Sequence, residues 1–276
     1  MAATTGTLWV VATPIGNRDD LTARAVQVLR EVAVIAAEDT RHSRPLLMHY
    51  NIDTPLKALH DHNERSEVDA LVARIQAGDS VALISDAGTP LISDPGFRLV
   101  RAARAAGVRV SPVPGACAAI AALSVAGLPS DRFVFEGFLP AKSGARRQRL
   151  QELAGETRTV ICYESSHRVL ESLEDMRDVL GAEREVVLAR ELTKMFETVV
   201  GEPVGDLVAR VAADPNQQKG EFVLMIAGRP GDADDKLAEG LRVFAILRAD
   251  LPPAKAAKLA AAISGAPRKL LYGGAE

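Results

Sequence analysis

Short apolar runs alternate with segments of helical period through the first 126 residues, and that alternation leaves few folds open. The runs are Leu8–Thr13, Val32–Ala37, Leu56–Leu59, Val81–Ile84 and Val108–Val113. Each is bounded by turn-forming or polar residues and reads as a buried strand. Between them, Leu21, Ala25, Val28 and Leu29 recur at helical spacing behind Asp19 or Asp20, either of which is expected to start that helix. A helix over about 65–77 stops at Gly78, another runs to about Ala106 before Gly107, and an Ala-rich one spans 116–126. Strands alternating with helices at this spacing predict a mainly parallel sheet covered on both faces.

Gly127-Leu128-Pro129-Ser130-Asp131 is short, polar and contains both backbone breakers, so a domain boundary is placed there. Beyond it, 132–138 alternates as a strand, a basic segment follows, and Thr159–Tyr163 is a core strand. A helix is read over 167–180. The runs 186–192 and 196–201 follow each other with no room for a crossover helix, so they pair antiparallel and the second sheet is mixed. A helix over about 204–212 and a strand over 222–227 complete this half. The expected division is an N-terminal α/β domain at 1–128, a C-terminal α/β domain at 129–230 and a helical tail at 231–276, with two tail helices split by Pro252-Pro253.

Composition narrows the class. Of 276 residues, 47% are hydrophobic and 25% charged, and the formal net charge of -3 shows no global basicity, so any nucleic-acid surface has to be local. Cys117 and Cys162 sit in apolar runs and are expected as buried free thiols. The N-terminus lacks a basic segment followed by an apolar core. The stretch 117–128 falls short of the ~20 residues that cross a bilayer. A cytoplasmic protein without a membrane segment is expected.

The densest chemistry lies in Ser85–Gly96, which follows the strand Val81–Ile84. Gly88 and Gly96 free the backbone there and Pro90 and Pro95 restrain it. Ser93 or Asp94 is expected to cap the next helix, with Pro95 opening it. Two carboxylates, three hydroxyls and two glycines at one strand exit mark a ligand loop of an open α/β sheet. The dinucleotide glycine fingerprint and the phosphate-loop lysine pattern are absent. No metal is expected, because His60 and His62 have no third ligand cluster to join. Ser165 or Ser166 is read as a helix cap rather than a nucleophile. Polar clusters stand at three other strand exits: Glu38-Asp39-Thr40-Arg41, Tyr163-Glu164-Ser165 and Arg190-Glu191-Leu192-Thr193-Lys194. Lys142, Arg146, Arg147 and Arg149 form either a solvated helix face or a patch for RNA phosphates. In the tail, Lys255, Lys258, Arg268 and Lys269 leave two readings open, a second basic surface or an amphipathic helix docked on its own protein.

Taken together, Ala12–Asn17, Ala37–Arg41, Ser85–Gly96, Pro114-Gly115-Ala116, Tyr163–Ser165, Arg190–Lys194 and Lys219-Gly220-Glu221 resemble the small-subunit ribosomal RNA 2'-O-methyltransferase I family of the tetrapyrrole methylase superfamily. The resemblance covers nearly the whole chain in order, with Arg18 standing where an apolar residue is usual. It implies two α/β domains of the tetrapyrrole methylase type, a cofactor cleft between them, and a homodimer. The implied reaction is methylation of cytidine 1402 of 16S rRNA in the small ribosomal subunit, with S-adenosylmethionine as cofactor. Carried over by position, the cofactor contacts are Pro14, Asp86, Ala87, Gly88, Thr89, Pro90, Ile92, Ser93 and Ala116 from the first domain. Tyr163, Arg190, Glu191, Leu192, Gly220 and Glu221 come from the second.

Methylation of a ribose hydroxyl calls for alignment and, where used, a general base. Asp39 and Glu38 are the candidates on one side, Lys194 and Glu197 on the other. Lys194 serves only if its pKa is depressed; as a cation it holds phosphate instead. Arg41 is assigned to substrate phosphate, and the cations at 142–149 to RNA. A small-molecule methylase of the same superfamily, a non-enzymatic ribosome-binding protein and a nucleotide-binding enzyme are the competing readings.

Overall fold

A computed structural model describes residues 5–60, 64–229 and 233–272. His62 and the chain end at 273–276 lie outside the described residues, as does the 230–232 stretch of the linker. The chain divides into two compact units, one running to Ala154 and resuming over Arg158–Ala227, the other made of Gly155–Thr157 and the segment from Gly228.

The first unit contains two five-stranded sheets. In the first, β1 (Thr7–Val11), β2 (Val34–Ala37), β3 (Leu56–Ala58), β4 (Val81–Ile84) and β5 (Arg109–Val113) are all parallel, in the order β3-β2-β4-β1-β5. Every residue of β2 and β4 is buried, which explains why these strands read as continuous apolar runs. Helices α1 (Ala23–Glu31) and α2 (Thr40–His49) bury Ala25, Leu29 and Leu47 against Val11, Ile35 and Ile84. Helices α3 (Glu64–Gln76) and α4 (Phe97–Ala105) bury Leu71, Ile75 and Leu99 against Leu8, Ala36 and Leu83 on the opposite face.

Several helix starts differ from expectation. Asp19 and Asp20 form a single 3-10 turn, and the Thr22 hydroxyl caps α1 by accepting from the N–H of Ala25 at 3.1 Å. Helix α4 begins only after Gly96. Neither Ser93 nor Asp94 caps it and Pro95 does not open it, because the cap residue has φ +119°, which suits glycine. Helix α2 was not foreseen at all: it contains Pro45 and buries only Ser43 and Leu47, so it shows little apolar period.

The second sheet has the order β6-β7-β10-β8-β9, from β6 (Phe133–Phe138), β7 (Thr159–Ser165), β8 (Glu185–Arg190), β9 (Thr198–Pro203) and β10 (Glu221–Ile226). The β6–β7 pair is parallel and the rest antiparallel, including the β8–β9 pair expected from its short connection. Helix α5 (Ala118–Val125) belongs by chain order to the first half, yet it packs Ala119, Ala122 and Leu123 on Ile161, Val187 and Met225 of this sheet. Helices α6 (Ser143–Leu153), α7 (Val169–Leu180) and α8 (Val204–Ala213) cover its other face. Helix α7 starts after Arg168 without a side-chain cap, so Ser165 and Ser166 do not serve as one.

The other unit holds α9 (Ala233–Leu247), α10 (Pro253–Ser264) and α11 (Arg268–Tyr272), with its own small core of Val243, Ala257, Ala260, Ala266 and Leu271. Pro253 takes the first helical position of α10, where its missing N–H costs nothing. Among the described residues no helix is long and apolar enough to cross a membrane.

Candidate active site

β1 and β4 lie side by side at the centre of the first sheet, and the loops leaving them are fastened together. Thr13 and Gly88 exchange backbone hydrogen bonds at 2.8 and 3.1 Å, and the Thr89 hydroxyl donates to the carbonyl of Ala116 at 2.9 Å. Thus the exits of β1, β4 and β5 form one frame. The backbone within it is strained: Leu91 and Ser93 have φ of +73° and +67°, and Glu191 and Thr193, after β8, have +52° and +64°. Apart from Asn51, these are the only non-glycine residues with positive φ among the described ones, and left-handed backbone of this kind gathers at ligand sites.

Loops from both sheets enclose a cavity of about 440 Å³. Asp86, Ala87, Gly88, Thr89, Ile92 and Ser93 line it from the β4 loop; Tyr163, Leu192, Gly220 and Glu221 line it from the second sheet. Ten of the fifteen positions expected to bind cofactor therefore meet here. Pro90, Ala116, Arg190 and Glu191 frame the cavity instead. Arg190 is buried, donating to the carbonyls of Lys219 at 2.7 Å and Phe196 at 3.2 Å. The carboxylate of Glu191 accepts from the N–H of Glu221 at 3.0 Å. Pro14 lines a second cavity of about 460 Å³ with Gly16, Arg18, Arg41, His42 and Lys194. The two cavities share Ile15, Asp86, Ala87 and Glu221.

Four further groups line the first cavity: Asp94 and Glu164, which stood in the expected strand-exit clusters without a site role, and Cys117 and Phe138, which were not expected at the site. Burial, with the Asp86 carboxylate adding to it and a Ser85 hydrogen bond opposing, pushes Asp94 up to about 6. Phe138 is an exposed aromatic edge-on to Tyr163, ring centroids 5.7 Å apart. Burial raises the Tyr163 phenol, whose oxygen accepts from the N–H of Ala119 at 3.1 Å. Cys117 is only half-buried at this wall, unlike Cys162, whose thiol burial pushes up to about 12. The signal for Asp94 was its place in the Ser85–Gly96 loop; Phe138 gave none beyond ending a strand.

The four candidate acid–base residues separate. Glu38 lines the first cavity and Lys194 the second, whereas Asp39 and Glu197 line neither. Asp39 caps α2 by accepting from the N–H of Arg41 at 2.8 Å, and its carboxylate grips the Arg41 guanidinium at 2.9 Å. Those hydrogen bonds hold Asp39 down to about 2, so it is a very weak base. The Lys194 ammonium donates to Glu191 at 2.8 Å and Glu221 at 2.9 Å. Burial works against its charge, but the two carboxylates outweigh burial and hold its pKa above the usual lysine range. The depressed pKa that a lysine base requires is therefore not met. Glu197 accepts from the N–H of Thr193 at 2.6 Å and shapes the loop.

The basic segment also needs correction. Arg146 is fully buried, bonded to Asp175 at 2.7 Å, so it presents nothing to RNA. Arg147 is bonded to Asp175 and Asp178, and Arg149 to Glu136 and Glu152, which leaves Lys142 as the cation of the four without a carboxylate partner among the described residues. α6 turns its arginines toward α7 and β6, and a run of like charge in sequence becomes a set of neutralised pairs.

Two adjoining cavities at strand exits, walled by a parallel sheet on one side and a mixed sheet on the other, define the tetrapyrrole methylase class. The profile of the Tetrapyrrole (Corrin/Porphyrin) Methylases matches residues 7–208, and that of the RsmI C-terminal HTH domain matches residues 234–275. Diphthine synthase superposes with a TM-score of 0.59 at 13% identity, over 80% of this chain and 89% of its own. Uroporphyrin-III-C-methyltransferase from Thermus thermophilus gives 0.53 at 21%, over 80% and 94%. At such identities the likeness is one of fold. Sequence relatives lie much nearer. Ribosomal RNA small subunit methyltransferase I of Pseudomonas aeruginosa is 62% identical over 97% of this chain and 95% of its own length. The protein of that name from Escherichia coli O157:H7 is 57% identical over 97% and 93%. This chain belongs to the ribosomal RNA small subunit methyltransferase I family.

Proposed function

We propose that the protein transfers a methyl group from S-adenosylmethionine to the 2'-hydroxyl of cytidine 1402 in 16S rRNA of the small ribosomal subunit. The observation that supports this most directly is the shared wall: Ile15, Asp86, Ala87 and Glu221 face both an enclosed cavity and a cation-lined one. A donor seated in the first thereby adjoins a nucleotide seated in the second. The donor set fits the cofactor, because Asp86, Asp94 and Glu221 supply negative charge and Ile15, Leu192, Phe222 and Val223 an apolar surface. When bound, S-adenosylmethionine supplies an electrophilic methyl group on a cationic sulfur.

The chain's own part is chiefly positioning, which alone removes ~7–11 kcal/mol of a bimolecular barrier. Arg41, oriented by Asp39, and Lys194, held as an ammonium by Glu191 and Glu221, hold substrate phosphate. Among the carboxylates of the first cavity, Asp94 and Glu38 are the candidates to accept the hydroxyl proton, Asp94 having a proton affinity suited to neutral pH. Lys142 and the tail cations Lys255, Lys258, Arg268 and Lys269 add further RNA contacts. The working form is a homodimer, a reading supported by Phe97, Met195 and Phe196 standing exposed at 62%, 90% and 65%.

The deciding experiment incubates the protein with labelled S-adenosylmethionine and small ribosomal subunits, then maps the label. Label on one ribose 2'-oxygen of 16S rRNA is expected. Label absent from RNA but present on an added uroporphyrinogen would place the protein with the small-molecule methylases.

A further inference from the structure

Arg18 and His42 stand apart from Arg41 and Lys194 among the hydrogen-bond donors of the second cavity. Arg41 is positioned by Asp39 and Lys194 by Glu191 and Glu221, so each offers substrate phosphate a cation whose charge is partly offset by a carboxylate. Neither Arg18 nor His42 has a carboxylate within ion-pair distance among the described residues, although both line the cavity. They arrive from different elements, Arg18 from the 3-10 turn after β1 and His42 from the first turn of α2. The two are held in relation to each other, because the Tyr50 hydroxyl after α2 donates to the backbone carbonyl of Arg18 at 2.6 Å. Pro14, Pro45 and Leu46 give the same cavity an apolar surface. A concave site with two unneutralised donors, an apolar floor and a wall shared with the cofactor cavity is complementary to one nucleotide and its anionic linkage.

We propose that Arg18 and His42 grip the phosphodiester next to the target ribose, seating that single nucleotide in the second cavity. The inference rests on the rRNA methyltransferase reading and deepens it. Asp19 and Asp20 are next to Arg18 in sequence but do not line the cavity, while Asp86 and Glu221, which do, are engaged by the N–H of Asp39 and by Lys194.

The test measures binding without methyl donor, so it does not depend on turnover. Small ribosomal subunits from cells lacking this protein are titrated with wild type, Arg18→Gln, His42→Gln and the double variant over a range of salt. Replacing Arg18 leaves untouched the carbonyl that accepts from Tyr50, so the turn persists. Each single variant is expected to bind about tenfold more weakly, the size of one charged hydrogen bond. The slope of log affinity against log salt is expected to fall by about one when the Arg18 cation is removed. S-adenosylmethionine affinity by calorimetry stays unchanged. Arg104→Gln, an equal loss of charge on α4, serves as the control and changes nothing. Unchanged affinity and salt slope in the double variant overturn the phosphate grip. Label failing to reach RNA with wild type, while the variants still bind subunits more weakly, overturns the reaction and leaves the grip standing.

Discussion

The backbone N–H of Asp39 donates to Oδ1 of Asp86 at 3.1 Å, tying the exit of β2 to the wall that the two cavities share. Asp39 thus acts through its neighbours, positioning Asp86 by its backbone and Arg41 by its carboxylate.

For Asp39→Asn, the cap on α2 persists because Asn accepts as Asp does, but the grip on Arg41 weakens. The expected result is a rise of about fivefold in KM for small subunits, with kcat and the shape of its pH profile unchanged. A carboxyl held near 2 stays ionised across the working range, so it cannot shape that profile. Its folded pKa is depressed, so its contribution to stability is complete above about 4 and lost as pH falls toward 2. Acid unfolding of wild type and variant should converge in that window.

Asp94 gives the opposite pH signature. Its folded pKa of about 6 lies above the unfolded value, so the native state binds the extra proton between about 4 and 6. Stability without ligand therefore falls as pH rises through that window, by about 1 kcal/mol once screening of a partly exposed carboxyl is allowed for. Asp94→Asn should lose this dependence in denaturant titrations at pH 4 and pH 7. Affinity for S-adenosylmethionine should rise with pH through about 6 in wild type and stay flat in the variant, as read by calorimetry.

Arg146→Met tests whether that side chain is structural. The substitution leaves Asp175, itself buried, with only Arg147 and Ser143 as partners. A loss of about 3 kcal/mol in denaturant unfolding is expected. Arg147→Met, at a half-exposed pair screened by water, should cost far less than Arg146→Met. Equal stability of Arg146→Met and wild type, with weakened RNA binding, would restore Arg146 to the RNA surface.

Gly16 is where the two halves of the site meet. A Cβ there would lie 2.5 Å from Cγ of Lys194 and 2.9 Å from the carbonyl oxygen of Leu192. The lysine can swing away; the carbonyl moves only with its loop. Gly16→Ala should therefore cost about 1–3 kcal/mol and weaken S-adenosylmethionine binding about tenfold by displacing Leu192 from the first cavity. Gly144→Ala, whose added methyl meets nothing within 4 Å, should change neither.

Both sheets were legible because burial on two faces forces apolar runs such as Val34–Ala37 and Val81–Ile84, and such runs are visible without coordinates. The glycines and polar residues of Ser85–Gly96 marked the ligand loop for a similar local reason. Helix α2 escaped notice because a half-exposed helix containing Pro45 has no apolar stripe to read. The left-handed backbone of Leu91 and Ser93 escaped notice because neither residue type prefers it; hydrogen bonds from Thr13 and Thr89 hold the loop around them. At Arg146 the sequence pointed the wrong way, since its neutralising partner Asp175 is 29 positions further along.

By itself the sequence determined what depends on local chemistry: where the strands and the amphipathic helices run, which strand exits hold glycines and polar side chains, and which family the ordered motifs resemble. Only the tertiary structure decided which charges are neutralised and which face a cavity. Two arginines alike in sequence, Arg18 and Arg146, end as a cavity-lining cation without a carboxylate partner among the described residues and a buried one bonded to Asp175. The physical reason is that the effect of a charge depends on its distance to other charges and its access to water, and folding sets both.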